Sequence, residues 1–379
     1  MPFAAALSEH PVPAQATGEV VGQVLEALGP SPDLAVVFVT PPQAGALEDV
    51  AATIGEVLRP RLALGCAAVS VVGTDREVEH SAAVSLWAGR FGPVEPVRLT
   101  ARRGPDGPVV EGWPVDEAFE PAALVLLADP FSFPADAFYA DLAARHPGLP
   151  VVGGNASAAR GPGGNRLVLD GRVVTDGAVG ALVGPGVEVE TVVSQGCRPI
   201  GRPYIVTRAE RNHLLELAGE PALGRLIEMS RRMSEDEIDS INAGLHLGRV
   251  IDEKKLDFGR GDFLVGGVLG ADEASGAIVV DHLVEVGSTV QFHIRDASTA
   301  DEDLRQLLDG RRADGALLFT CNGRGVQLFD APDHDAGVLH ERVGAPAAGF
   351  FAAGEFGPVG PRNFLHSFTA SVALFRDAV

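Results

Sequence analysis

Short apolar runs and amphipathic segments alternate along this chain in a plan that occurs three times. In the first copy, Asp33-Leu-Ala-Val-Val-Phe-Val-Thr40 leads to Pro60-Arg-Leu-Ala-Leu-Gly-Cys-Ala67. In the second, Ala123-Leu-Val-Leu-Leu-Ala-Asp129 leads to Pro150-Val-Val-Gly-Gly-Asn-Ala156. In the third, Gly315-Ala-Leu-Leu-Phe-Thr-Cys321 leads to Pro346-Ala-Ala-Gly-Phe-Phe-Ala352. Each copy reads as a β-α-β unit whose closing strand starts at a proline and ends at a glycine. Ligands of open α/β sheets collect at strand ends, so the repeat predicts a pocket before it predicts a chemistry.

The segments between these strands carry helical signals. Leu47, Val50, Ala51, Ile54, Val57 and Leu58 form one apolar stripe. Pro134 opens a second helix that Pro147-Gly148 stops, and Thr299-Ala-Asp-Glu302 reads as a capping box before Leu304, Leu307 and Leu308, with Gly310 as the stop. Ser234-Glu-Asp-Glu237 predicts another capped helix, running to about Leu245. Strand-like runs follow the second copy at 166–169, 180–183, 188–194, 204–207, 262–268 and 277–280. Their density implies antiparallel additions, so the expected class is α/β, with two domains of mixed β-sheets flanked by helices. The boundary is placed near residue 226. This gives an extension over 1–32, an N-terminal domain over 33–226 and a C-terminal domain over 227–379.

Composition narrows the partners. The formal charge is -21 over 379 residues, and of the 30 basic residues only Lys254 and Lys255 are lysines. Extended binding to nucleic acid or to an anionic membrane needs clustered positive charge, which this chain lacks. No stretch approaches the roughly 20 apolar residues of a membrane span. The N-terminus lacks the positive start of a secretion signal, so a soluble cytoplasmic protein is expected. Three widely spaced cysteines, Cys66, Cys197 and Cys321, favour neither a disulfide framework nor a zinc knuckle.

Several residues could carry chemistry. The strand Val290-Gln-Phe-His-Ile-Arg295 alternates, placing Gln291, His293 and Arg295 on one face; Arg295 there suits a carboxylate or phosphate, or else the face is simply solvated. In Cys321-Asn-Gly-Arg-Gly325, Asn322-Gly323 predicts a tight turn with positive φ, and Arg324 adds charge for an anion; the alternative is a connection with no ligand. Cys321 could be a nucleophile beside a base, His366 or Glu355, or a small buried wall residue. Gly153-Gly154-Asn155 permits close backbone approach to a ligand or to a neighbouring strand. Glu355 sits among glycines and aromatics, where burial would perturb its carboxyl. Neither a dinucleotide fingerprint nor a P-loop occurs, and the ten histidines form no H-x-x-x-H arrangement. No cofactor is expected, with haem as the alternative.

Taken in order, these motifs resemble the FIST family, with its N-terminal and C-terminal domains in tandem. The resemblance rests on Leu64-Gly-Cys66, Arg76-Glu-Val-Glu79, Val152-Gly-Gly154 and Ser194-Gln-Gly-Cys-Arg-Pro-Ile-Gly201 in the first half. It continues in Gln291-Phe-His-Ile-Arg-Asp296, Gly315 to Gly325, Gly349-Phe-Phe-Ala-Ala-Gly-Glu355 and Asn363-Phe-Leu-His-Ser-Phe-Thr369. It implies a sensory module for a small ligand, anionic or amino-acid-like, held in a pocket between the two domains. Arg295 and Arg324 would be anion anchors, Asn155, Gly154 and Asn322 polar or close contacts, Glu355 a charged partner, Cys66 and Cys321 walls, and His366 a neighbour. The chain ends at Val379 without the effector domain such modules usually carry, which implies a separate signalling partner such as a kinase or cyclase. Pairing with a second copy stays open. The rival readings are an enzyme with Cys321 as nucleophile, and a haem-based nitric-oxide sensor.

Overall fold

In a computed structural model that describes residues 2–105 and 107–378, all three repeats fold as parallel β-α-β units. Leu34–Val39 pairs in parallel with Leu62–Ala67, Ala123–Ala128 with Val151–Asn155, and Gly315–Cys321 with Ala347–Ala352. The first strand of each copy takes an antiparallel neighbour on its other edge: Val84–Gly89, Ala178–Val183 and Thr369–Asp377 respectively. The fold therefore holds three versions of one three-stranded arrangement, each extended into its own mixed sheet.

The glycines explain why the repeat is visible in the sequence. Gly65 lies opposite Val37, Gly153 opposite Leu126 and Gly349 opposite Leu318. Each partner is the fourth residue of its strand. A Cβ at these glycines would sit 2.4, 1.8 and 1.7 Å from the partner's carbonyl oxygen. The glycines lie within the strands and serve close strand approach. For Gly153 the choice left open by the sequence falls on the neighbouring strand, and Gly154 likewise faces protein, its virtual Cβ 2.8 Å from that of Ala352.

The chain forms two compact units, and they cut it differently from a single division near residue 226. The first comprises 1–194, 304–365 and 369–379; the second comprises 195–303 and 366–368. All three repeats belong to the first. The reason lies in the third sheet: Ala347–Ala352 is extended by Ser70–Gly73, which pairs with Arg76–Glu79, so an N-terminal hairpin finishes a C-terminal sheet. The inner faces of the three sheets share one core, in which Phe38 packs against Phe350 at 5.1 Å and Trp87 against Phe375 at 5.0 Å. Helices Pro13–Leu28 and Leu47–Thr53 cover the first sheet, Ala135–Arg145 the second and His334–Arg342 the third.

In the second unit every pairing between described strands is antiparallel. The sheet runs in the order Cys197–Glu210, Thr289–Arg295, Leu245–Val250, Phe263–Asp272, Ala277–Val280, His213–Leu217, and the first of these also pairs with the last, closing a six-stranded barrel. Its interior holds Tyr204, Val206, Leu247, Val290, Phe292 and Ile294. Two helix boundaries differ from expectation. The capping box at Ser234 forms, but its helix stops at Ala243 because Gly244 adopts φ +159° and Leu245 begins a strand. Helix Ala297–Leu308 begins before Thr299, because the Asp296 carboxylate accepts from the Thr299 N–H and the Ser298 hydroxyl.

Candidate functional site

Strand ends of the first unit bring together a buried polar cluster. Gly315–Cys321 delivers Cys321 at its last position, and the chain then turns so that the Arg324 N–H reaches the Cys321 carbonyl at 2.8 Å. Asn322 and Gly323 do so without positive φ; that conformation appears only at Gly325, at +63°. The expected anion cradle of turn N–H groups does not form, because the Asn322 N–H goes to the Ala352 carbonyl and that of Gly323 to the Cys321 Sγ. Asn322 is the exposed residue of the turn.

Arg324 is instead 1% exposed and bound through Nε and Nη2 to both oxygens of Asp335, each at 2.7 Å. Asp335 also accepts from the Thr320 hydroxyl and contacts His334 Nδ1. Although burial opposes its charge, the Arg324 guanidinium holds its carboxyl well below the usual range. The third guanidinium nitrogen, Nη1, has no partner among the described residues. Glu77, from the Arg76–Glu79 hairpin, accepts from the Ala336 N–H through Oε1 and leaves Oε2 unpartnered. Burial, then the Asp335 charge, push its carboxyl up to about 8.

Glu355 completes the group. It is fully buried on Glu355–Val359, a strand that pairs with Val151–Asn155 and sets Glu355 opposite Gly154. Its Oε2 accepts from the Thr369 N–H and hydroxyl at 3.1 and 2.8 Å, while Oε1 has no partner of ordinary geometry. Burial pushes its pKa to about 8, against the opposing effects of Thr369, Arg324 and the Cys321 thiol. Asn155, beside Gly154, ties its backbone to Ala353 and Gly354 and leaves Oδ1 unpartnered. The first unit thus gathers one guanidinium donor and three acceptor oxygens with unused hydrogen-bonding capacity. Buried polar atoms are overwhelmingly paired, so four such atoms in one unit require an explanation.

The sequence singled out Arg324, Glu355, Asn155, Cys321 and Asn322, and the structure places them on these adjoining strand ends. Asp335, Glu77, Thr320 and His334 were missed, because nothing in local spacing connects an N-terminal hairpin to a helix 259 residues later; the one sequence hint was Arg76-Glu-Val-Glu79 as a motif of the family resemblance. Cys66 lies apart, fully buried in the apolar core, and burial pushes its thiol far up.

Arg295 and His366 belong to the second unit. Its Gln291-His293-Arg295 face is covered rather than solvated: Gln291 is 9% and His293 1% exposed. His293 lies opposite His246 across two strands and against the Phe263 ring, in space that Gly248 leaves free. Phe368 meets the His246 ring at 4.1 Å and takes the Arg295 guanidinium over its face at 5.8 Å. Burial lowers both histidines to about 4, with the Arg295 charge adding to the effect at His246. His366 is likewise buried.

Comparison with known proteins gives this arrangement a family. Residues 33–220 match the FIST N domain and residues 222–358 the FIST C domain. An uncharacterized protein of Mycobacterium tuberculosis is 42% identical over 379 residues, covering 98% of each chain. An uncharacterized protein of Mycobacterium bovis is 42% identical over 371 residues, covering 96% of each. FIST domains are in general small-ligand sensory modules. With both domain types in tandem and relatives aligned nearly end to end, the chain belongs to the FIST family.

Proposed function

We propose that this protein is a sensory protein for an amino-acid-like metabolite, bound at the buried polar cluster of the first unit. The observation that carries the reading is the set of unpartnered buried atoms. Arg324 Nη1 offers a donor to a carboxylate, and Glu355 Oε1, Asn155 Oδ1 and Glu77 Oε2 offer acceptors to an ammonium group. One cationic donor with several acceptors suits a zwitterion better than a simple anion. Asn322, the exposed residue of the turn, marks the side of the cluster nearest solvent. Among the described residues no helix is long and apolar enough to cross a membrane, and the reading takes the protein as cytoplasmic, passing its signal to a separate protein such as a kinase or cyclase.

Calorimetric titration with a panel of proteinogenic amino acids tests this. Wild-type protein should bind at least one saturably, and Glu355→Gln should weaken that binding by about tenfold or more, the scale of one lost charge-assisted contact. Equal binding by the variant, or none by the wild type, overturns the reading.

A second reading is favoured by one contact: the Cys321 thiol beside Glu355, a carboxyl poised at about 8. Such a pair has the parts of a nucleophile and its base, the proton passing from Sγ to Glu355 in the minor fraction of molecules whose carboxyl is ionised at neutral pH. Rapid alkylation of Cys321 by iodoacetamide at neutral pH, lost in Glu355→Gln, would favour it over simple binding.

A further inference from the structure

The barrel of the second unit carries a half-open cavity of about 510 Å³, within the range of pockets for small organic ligands. Its walls are Gly201, Arg202, Tyr204, Met229, Met233 and the carboxylates of Glu228 and Glu237, with Arg232 at the rim. Two of these residues closed sequence motifs, Gly201 the run from Ser194 and Glu237 the capping box from Ser234, but neither motif pointed to a ligand.

The cavity is made by an irregularity in one strand. Along Cys197–Glu210, Ile200 faces Phe292 and Tyr204 faces Val290, so four steps on one strand span two on its partner. The surplus forms a bulge at Gly201-Arg202-Pro203, a device that re-aims side chains beside binding sites. Gly201 takes φ +63°, and a Cβ there would lie 2.5 Å from Met229 Sδ, so the bulge and the methionine fit only because this residue is glycine. Gln291 holds the bulge by donating to the Gly201 carbonyl at 3.1 Å.

Pairing off the charges shows what is left for a ligand. Glu228 is bound by both Arg225 and Arg232, at 3.2 Å each. Glu237 accepts from the Ser234 N–H and hydroxyl and pairs with Arg198. Arg202 has no ion partner among the described residues; its guanidinium lies 5.2 Å from the Tyr204 ring centre. One uncommitted cation thus stands over an apolar floor of two thioethers and an aromatic ring, and thioethers pack well against aromatic faces.

We infer that this cavity binds an aromatic carboxylate, its ring on Met229 and Met233 and its carboxylate on Arg202. The full chain holds three methionines, so methyl-labelled methionine gives a spectrum in which Met229 and Met233 report this cavity. The probes are 2-naphthoate and its neutral counterpart 2-naphthamide. Naphthoate should shift both signals saturably with a Kd below about 1 mM, and naphthamide should bind at least about tenfold more weakly. Arg202→Gln should remove that difference while the two reporter signals of the ligand-free protein stay in place. Equal binding of the two probes, an unchanged preference in Arg202→Gln, or no saturable shift of Met229 and Met233 overturns the assignment. Met229 and Met233 both belong to the second unit, so this outcome stands apart from that of the amino-acid titration.

Discussion

Both units bury ionisable groups, but they do so with opposite polarity. The first buries carboxylates, Glu77 and Glu355, whose pKa burial raises to about 8, around a guanidinium that keeps one nitrogen, Nη1, unspent. The second buries two imidazoles, His246 and His293, which burial lowers to about 4. Both choices keep the buried groups neutral near pH 6. The difference lies in what a ligand would change: an incoming ammonium converts a neutral Glu355 into a carboxylate, whereas the histidine pair sits against Phe263 and Phe368 and is neutral by packing.

The largest expected effect concerns how the units are assembled from the chain. Residues 1–226 expressed alone lack the strands that Ser70–Gly73 extends and the Phe319, Phe350 and Phe375 rings of the shared core. This fragment should not unfold cooperatively, and neither should 227–379. Both tryptophans, Trp87 and Trp113, lie in the first unit, so a sharp urea transition of soluble 1–226 by tryptophan fluorescence would contradict the single three-sheet core.

Next in size is a glycine contrast between the units. Gly349→Val would drive a side chain into the Leu318 carbonyl, a loss of about 3 kcal/mol or more. Gly224 in helix Ala222–Ser230 has only Pro221 Cβ near its virtual Cβ, at 3.9 Å, so Gly224→Ala should stabilise by up to about 1 kcal/mol. Urea midpoints that move in the same direction would sink the argument from strand approach.

The strand repeats and three helix starts were legible because they are local: apolar runs, Pro starts and a capping box mark them. The role of the glycines was not, since what Gly65, Gly153 and Gly349 approach is a carbonyl on the adjacent strand of each repeat. The closed barrel was invisible for the same reason, because closure depends on Cys197–Glu210 pairing at both of its edges. Within the candidate site, single residues were readable, Glu355 from its odd setting and Cys321 from its strand end. Their partners Asp335 and Glu77 were not, being joined only by the tertiary fold. Arg324 looked like a free anchor, yet two of its three nitrogens are spent on Asp335.

A subtler test is pH. A carboxyl raised in the folded state lends stability that is full below its unfolded value, about 4.5, and is lost as pH rises toward 8. The urea midpoint by tryptophan fluorescence should therefore fall between pH 5 and 8, and less so in Glu355→Gln. For the lowered histidines the sign reverses: their contribution is present above about 6.5 and is lost as pH falls toward 4. Hydrogen exchange in Leu245–Val250 and Thr289–Arg295, corrected for intrinsic rates, should accelerate on acidification. The same sign in both units would contradict the contrast.

Smallest is the effect of Cys321→Ser, which should stay folded and keep ligand affinity within about tenfold, as for the loss of one soft contact. A greater loss would promote the thiol from neighbour to participant.

The central claim is that Glu355 is neutral in the empty site and becomes charged when an ammonium group arrives. Calorimetry of amino-acid binding at pH 7, repeated in buffers of different ionisation enthalpy, reads this as protons released per ligand bound. The account predicts proton release in the wild type, lowered in Glu355→Gln by up to one proton per ligand, with any remainder coming from Glu77. Binding with no proton exchange, or the same release from both proteins, would contradict it.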